Sequence, residues 1–182
     1  MTRKLSTKEI LEENLAQRPP KGMEKVRVIL HNIRSMHNVG SVFRSSDAFG
    51  ISEIILSGYT PTPPRDEINK TAIGAEEFVD WRFVDDIVSE IQFLKKSGYK
   101  ILGLEQTDSS VSILDLELSL SDKCCIVMGN EITGIDDELL HLADQFVTIP
   151  QYGHKHSLNV SVATGITFYA LLQKFYSKKI SS

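Results

Sequence analysis

CCIVMGNEITGI, residues 124–135, is the stretch that decides the fold. Cys124-Cys125-Ile126-Val127-Met128 is apolar without alternation, the pattern of a strand that a parallel sheet buries on both faces. Gly129 and Gly134 punctuate the segment after Met128, so the chain turns just past the end of a buried strand. In open α/β sheets that is where ligands bind.

Working outward, Val26–Leu30, Glu53–Ser57, Val79–Val84, Tyr99–Leu104 and Phe146–Ile149 also read as extended. Helical patterns alternate with them. Asn38 is placed to cap a helix carrying Val39, Val42, Phe43 and Phe49, with Gly50 as its stop. Asp85–Ser97 puts Ile87, Val88, Ile91 and Leu94 on one face, with Gly98 as terminator. Asp136–Ala143 reads as a short helix and Ser157–Phe175 as a long one. Pro61, Pro63 and Pro64 make Gly58–Arg65 a loop. Alternation of strand and helix predicts an α/β fold, a mainly parallel sheet flanked by helices. The 182 residues suit one domain, over 26–176. Ahead of it, residues 1–25 form a basic helical appendage. Ser6 and Glu9 fit a capping box there, and the helix stops before Pro19-Pro20. Residues 177–182 read as a polar tail.

The net charge of −4 does not mark a nucleic-acid binder, but its distribution is uneven. Residues 1–44 hold nine Lys/Arg (among them Arg3, Lys4, Lys8, Arg18, Lys21, Arg34 and Arg44) and four Glu; the rest holds 11 basic and 20 acidic residues. A basic face on an acidic body is thus available. No apolar run approaches the ~18 residues of a membrane span, and Met1–Glu13 lacks the apolar core of a secretion signal. A cytoplasmic protein is expected, with Cys124 and Cys125 as buried reduced thiols and no metal, since no second cysteine pair exists. His154 and His156 flank Lys155 without other ligands and read as loop surface.

Three glycine-containing segments come after strands: NVGSVFRSSDAFG (38–50), IVMGNEITGI (126–135) and IPQYGHKHSLNVSVATGI (149–166). None fits the dinucleotide or phosphate-loop glycine patterns. Each alone is also satisfied by turn chemistry and a helix cap. Together, and in this order, they resemble the motifs of the SpoU/TrmH family of RNA 2′-O-ribose methyltransferases, within the SPOUT or α/β-knot superfamily. Asn38, Gly40 and Arg44 match its first motif. Gly129, Asn130, Glu131 and Gly134 match the second. Ile149, Pro150, Ser157, Leu158, Asn159, Val160, Ser161 and Ala163 match the third. Lys70–Ala75 resembles the loop between the first two, and the likeness spans roughly residues 26–175.

The resemblance implies a C-terminal trefoil knot with S-adenosylmethionine bent into it, contacting Leu104, Gly129, Ile149 and Leu158, the last apolar pair sandwiching adenine. It implies a homodimer and an RNA substrate, tRNA before rRNA because the short basic helix resembles the terminal appendages of the tRNA-acting members. By family position Arg44 is catalytic, as general base or as a bidentate phosphate clamp; a guanidinium with a pKa above about 12 is an awkward base. Asn38 fixes the Arg44 loop, touches ribose or caps a helix. Glu131 orients Arg44, bridges the dimer or starts a helix. Ser157 and Asn159 bind substrate, cofactor or the backbone of the knot, or cap the last helix. The competing reading is a non-catalytic RNA-binding module on the same fold.

Overall fold

A computed structural model describes residues 2–19 and 21–180, with the side chains of 178–180 left out. Its elements are α1 (Thr7–Ala16), β1 (Val26–His31), α2 (Met36–Phe49), β2 (Glu53–Ser57), α3 (Asp66–Ala72), β3 (Trp81–Val84), α4 (Ile87–Lys96), β4 (Tyr99–Leu104), β5 (Val111–Ser112), β6 (Lys123–Met128), α5 (Asp137–Leu140), β7 (Gln145–Thr148) and α6 (Val160–Ile180). The strands form one sheet in the order β3-β2-β1-β6-β4-β7-β5. Every adjacent pair is parallel.

β6 lies between β1 and β4, and its apolar run is the reason. Cys124, Ile126 and Met128 enter the core shared with α2, α3 and α6, while Cys125 and Val127 enter the core under α4. The two cysteines therefore face opposite sides of the sheet and cannot pair. Burial pushes the Cys124 thiol up to about 12 and raises that of Cys125 well above its ordinary value, so both stay protonated at neutral pH. On the larger face, Phe43 from α2 and Phe168, Leu171 and Phe175 from α6 are fully buried. On the other, Ile87, Ile91 and Leu94 present the stripe that their spacing predicted.

Several boundaries differ from the sequence expectation. Ser35, not Asn38, caps α2: its hydroxyl accepts the N–H of Asn38, which sits in the first helical turn. Both residue types cap well, and the chain bends three residues earlier because β1 ends at His31. α6 begins at Val160, so Ser157–Asn159 precede it, and it runs on through Ser177–Ile180 where a tail was expected. Ser181 and Ser182, like Pro20, lie outside the described residues. α5 spans four residues rather than eight. α3 and β5 carry no pattern long enough to have been read. α1 has its capping box (the Ser6 hydroxyl accepts the Glu9 N–H, and the Ser6 N–H donates to the Glu9 carboxylate) and buries none of its residues. No helix among the described residues is long and apolar enough to cross a membrane.

α2 crosses α3 at Gly40. A Cβ there would lie 2.2 Å from Thr71 Oγ1 and 2.3 Å from the Ile68 carbonyl oxygen. Alanine favours a helix interior over glycine by about 1 kcal/mol, whereas overpacking costs typically about 1–3 kcal/mol. Because one clashing atom is backbone, the steric cost wins. Gly40→Ala is expected to lower the melting temperature by several degrees, read by circular dichroism; an unchanged or higher value would show that the helices separate freely.

Candidate active site

The polar and glycine-rich loops gather at the carboxyl ends of β1, β6, β4 and β7. After Met128 the chain closes a tight loop: the Asn130 N–H donates to the Gly134 carbonyl (2.9 Å) and the Gly134 N–H to the Asn130 carbonyl (3.0 Å). The Asn130 side-chain oxygen accepts the N–H groups of Ile132 (2.8 Å) and Thr133 (3.0 Å), and Gly134 takes φ +74°. Gly129 lies so close beneath this turn that a Cβ would fall 2.3 Å from the Gly134 carbonyl carbon and oxygen. Glu105, just after β4, holds the other end by accepting the Ile135 N–H (3.0 Å).

Between this loop and the 149–158 segment opens a cleft of about 560 Å³, within the ordinary range of small-molecule sites. Leu104, Gly129, Ile149 and Leu158, the four positions assigned to a cofactor, all line it, as does Ser157. Met128, Val147, Val160 and Ala163 add an apolar floor. The Ser157 hydroxyl has no hydrogen-bond partner among the described residues.

At the mouth, three residues singled out from different motifs form one chain of hydrogen bonds. Asn38 Nδ2 donates to Glu131 (3.0 Å), and Asn159 Nδ2 donates to Asn38 Oδ1 (3.1 Å). The Asn159 oxygen caps α6, accepting the Ser161 N–H (2.9 Å) and the Ser161 hydroxyl (2.7 Å). Glu131 also accepts the backbone N–H groups of Arg34 (3.0 Å) and Ser35 (3.2 Å). It thus anchors the start of α2 and does not contact Arg44, one of the roles expected for it. Burial works to raise the Glu131 carboxyl, but these donors outweigh it and hold the group below the usual carboxylate range.

Arg44 is exposed, does not line the cleft, and makes no hydrogen bond or ion pair to any described residue. It stands six residues beyond Asn38, about 9 Å along α2 and roughly 120° around it.

Sequence reasoning missed the residues that brace these loops. Asn32, in the left-handed region at φ +57°, accepts the Tyr59 N–H on its side-chain oxygen, donates from Nδ2 to Asp136 (2.8 Å), and accepts Asn130 Nδ2 on its carbonyl (2.8 Å). His31 lies between Ser57 (2.8 Å) and Asp136 (3.0 Å). The one available signal was the residue type: asparagine tolerates the left-handed conformation better than most. No group of three or more His, Cys, Asp or Glu residues among the described ones is arranged to hold a metal.

The Glu131 carboxylate gives this site a testable pH dependence. Its folded value lies below the ordinary one near about 4.3, so its stabilising contribution is complete above that range and is lost as pH falls through it. Glu131→Gln should melt below the wild type at pH 7, by about 1–3 kcal/mol of stability, and the gap should close between about pH 5 and 3. A gap independent of pH would show that charge plays no part.

Comparison with known proteins matches the architecture. The model of the SpoU rRNA Methylase family matches residues 25–169. The chain is 33% identical over 157 residues to an Escherichia coli K12 tRNA (guanosine(18)-2′-O)-methyltransferase, covering 86% of this chain and 65% of that one. It is 32% identical over 143 residues to an Aquifex aeolicus protein of the same description, covering 78% and 66%. The chain therefore spans just under two thirds of the length of these relatives. Among solved structures, the A. aeolicus TrmH/SpoU tRNA modifying enzyme superposes with a TM-score of 0.79 at 27% identity, covering 94% of this chain and 83% of that one. An AdoMet-bound rRNA methyltransferase from Sinorhizobium meliloti gives 0.77 at 28%, covering 88% and 59%. By its matched residues and its sheet, the chain belongs to the SpoU rRNA methylase family.

Proposed function

We propose that this protein is an S-adenosylmethionine-dependent RNA 2′-O-ribose methyltransferase, acting on structured RNA and on tRNA before rRNA. The observation that carries the reading is the convergence of three distant segments on one cleft, with the Glu131–Asn38–Asn159 chain at its mouth. The relatives' names and the cofactor-bound neighbour support the same reading.

The cleft fits the cofactor. Its floor is apolar, Ile149 and Leu158 can cover an adenine ring, and at Gly129 the main chain is bare because any side chain would strike Gly134. Leu104, Gly129, Ile149 and Leu158 would hold it, within the C-terminal trefoil knot that the family implies. When bound, S-adenosylmethionine supplies an electrophilic methyl group on a sulfonium. The chain's own residues then have to bring a ribose hydroxyl to it and deal with the hydroxyl's proton. Asn38, Asn159 and Ser157 are neutral donors and acceptors suited to the ribose. An exposed guanidinium without a carboxylate partner suits a phosphate, which it grips with two parallel bonds, and orienting the hydroxyl for in-line attack lowers the barrier through positioning. The phosphate-clamp role for Arg44 rests on that free fork; the general-base role has no observation behind it.

Arg44 stands away from its own chain's cleft, and α6 leaves Val162, Ile166 and Tyr169 half exposed at helical spacing. Both features support a homodimer through α6, in which Arg44 of one copy reaches the cleft of the other. A stable interface of this kind buries upwards of about 2,000 Å². Phe168, Leu171 and Phe175 on the same helix serve the chain's own core. Free buried thiols suit a cytoplasmic setting.

Arg44→Ala is expected to lower kcat for methyl transfer by on the order of 10²-fold or more while calorimetry shows unchanged S-adenosylmethionine binding. Near-normal turnover would refute the assignment. Absence of cofactor binding in the wild type would favour the non-catalytic RNA-binding reading instead.

The appendage over residues 1–25 supplies part of the RNA contact in this reading. None of the residues of α1 is buried. Arg3 is paired with Glu9 (2.6 Å) and Lys8 with Glu12 (3.9 Å), whereas Lys4, Arg18 and Lys21 have no ion pair among the described residues. Each phosphate contact adds about one unit to the slope of log K against log salt. Deleting residues 1–22 should therefore flatten that slope by roughly two to three units, with the dimer mass by light scattering and cofactor affinity unchanged. Equal slopes and a lowered melting temperature would make the appendage structural.

A further inference from the structure

A second groove lies beside the cleft, on the far side of the loop after β2. It has a volume of about 660 Å³, and Arg34, Tyr59, Thr62, Arg65, Trp81 and Phe83 line it. Tyr59 is 59% exposed and Phe83 41%, a large aromatic surface to leave in water. Trp81 is held edge-on by Phe43 at 6.3 Å between ring centroids, so its position is set by the core. Arg34 and Arg65 are both exposed, and neither side chain makes a hydrogen bond or ion pair to a described residue. Asp66 and Glu67, next along the chain, belong to the first turn of α3 and do not line the groove.

The wall is rigid. Pro61, Pro63 and Pro64 restrict the loop, and the buried Thr60 hydroxyl ties it to β1, accepting the Ile33 N–H (3.0 Å) and donating to the Leu30 carbonyl (3.0 Å). Groove and cleft also share a partition. Asn130 and Glu131 line the cleft, while Asn130 Nδ2 donates to the Tyr59 hydroxyl (2.7 Å) and Glu131 accepts the Arg34 N–H (3.0 Å). Whatever occupies one site therefore neighbours whatever occupies the other.

Aromatic faces flanked by unpaired guanidinium groups are the chemistry of single-stranded nucleic-acid capture: rings stack on a base, and cations take the phosphates on either side. A protein partner would have to supply carboxylates and apolar side chains in this arrangement, while a nucleotide carries both features in one unit. We infer that this groove holds the nucleotide next to the one whose ribose enters the cleft, its base stacked among Tyr59, Trp81 and Phe83 and its phosphates on Arg34 and Arg65. What occupies the cleft rests on the methyltransferase reading; the groove's affinity for a stacked nucleotide does not.

Trp81 is the chain's single tryptophan, so its emission reports on this groove alone. The full-length protein is titrated with a single-stranded oligoadenylate of eight nucleotides, without cofactor. Its binding should quench Trp81. Phe83→Ala should weaken it by roughly 5- to 100-fold, the loss typical of one stacked base. Arg65→Ala should lower the salt slope by about 0.7, the value for one phosphate of a single strand. Calorimetry with S-adenosylmethionine should be unaffected in both variants. Unchanged Trp81 emission at saturating oligonucleotide, or wild-type binding by both variants, would overturn the assignment. So would a fall in assembly mass on Phe83→Ala with oligonucleotide binding intact, which would make the groove a contact with a second copy. If the methyltransferase reading fails, the cofactor gives no binding heat while the quenching persists, so the two failures are distinct.

Discussion

The carboxylate of Glu131 takes the place that a helix usually fills from within. A helix start leaves its first backbone N–H groups without partners. In a capping box a glutamate three residues past the cap turns back to accept the cap residue's N–H. α2 has Asn38 at that position, whose side chain carries no charge and points elsewhere. Glu131 arrives from the loop after β6 and accepts the N–H of Ser35, that of Arg34 and the Asn38 amide. One anion at the positive end of a helix thereby locks two loops from distant parts of the chain at a fixed separation. Asn38, held by Glu131, in turn accepts Asn159 at the start of α6. Removing the charge would weaken the hold of the second motif on the first.

The rest of the site depends on that lock because the cleft has no walls of its own. It is the space left between loops, and each loop is set by a bond to another. Gly129 and Gly134 nest with no room for a side chain, Glu105 accepts the Ile135 N–H at the far end, and Asn32 connects the Asn130 turn with Asp136 and Tyr59. The sheet underneath contributes position and rigidity. β6, buried on both faces between β1 and β4, fixes where the Gly129 loop starts, and β4 and β7 fix the opposite lip.

Elements whose pattern is long or unbroken were legible from the residues: the CCIVM strand, the Ile87/Ile91/Leu94 helix face, and the Ser6–Glu9 cap. Asn38 was read as the cap of α2, but Ser35, a residue type that caps equally well, takes that place three positions earlier, where the chain leaves β1. α3 has seven residues and β5 two, too short for a period to show. The cleft lining was legible only through motif resemblance, since nothing in the residue types of Leu104 or Leu158 separates a cofactor contact from core. Asn32 was illegible for a different reason. Its left-handed backbone is imposed by bonds to residues 27 to 104 positions away. The second groove draws on residues 34, 59–65 and 81–83, which become neighbours only when β3 pairs with β2.

Charge divides the two hollows in a way that bears on how a polyanion could use them. Glu105 and Glu131 line the first cleft, and both carboxylates accept backbone N–H groups, so neither can swing aside. A phosphate entering there would meet fixed negative charge, whereas an uncharged ribose edge, or a cofactor carrying a positive sulfonium, would not. Arg34 and Arg65 line the second groove, and Arg44 stands exposed on α2. Among the described residues, a polyanion would therefore meet these unpaired cations outside the cleft and carboxylates inside it. On an acidic body of net charge −4, the two hollows thus present opposite charge on either side of the partition formed by Asn130 and Glu131.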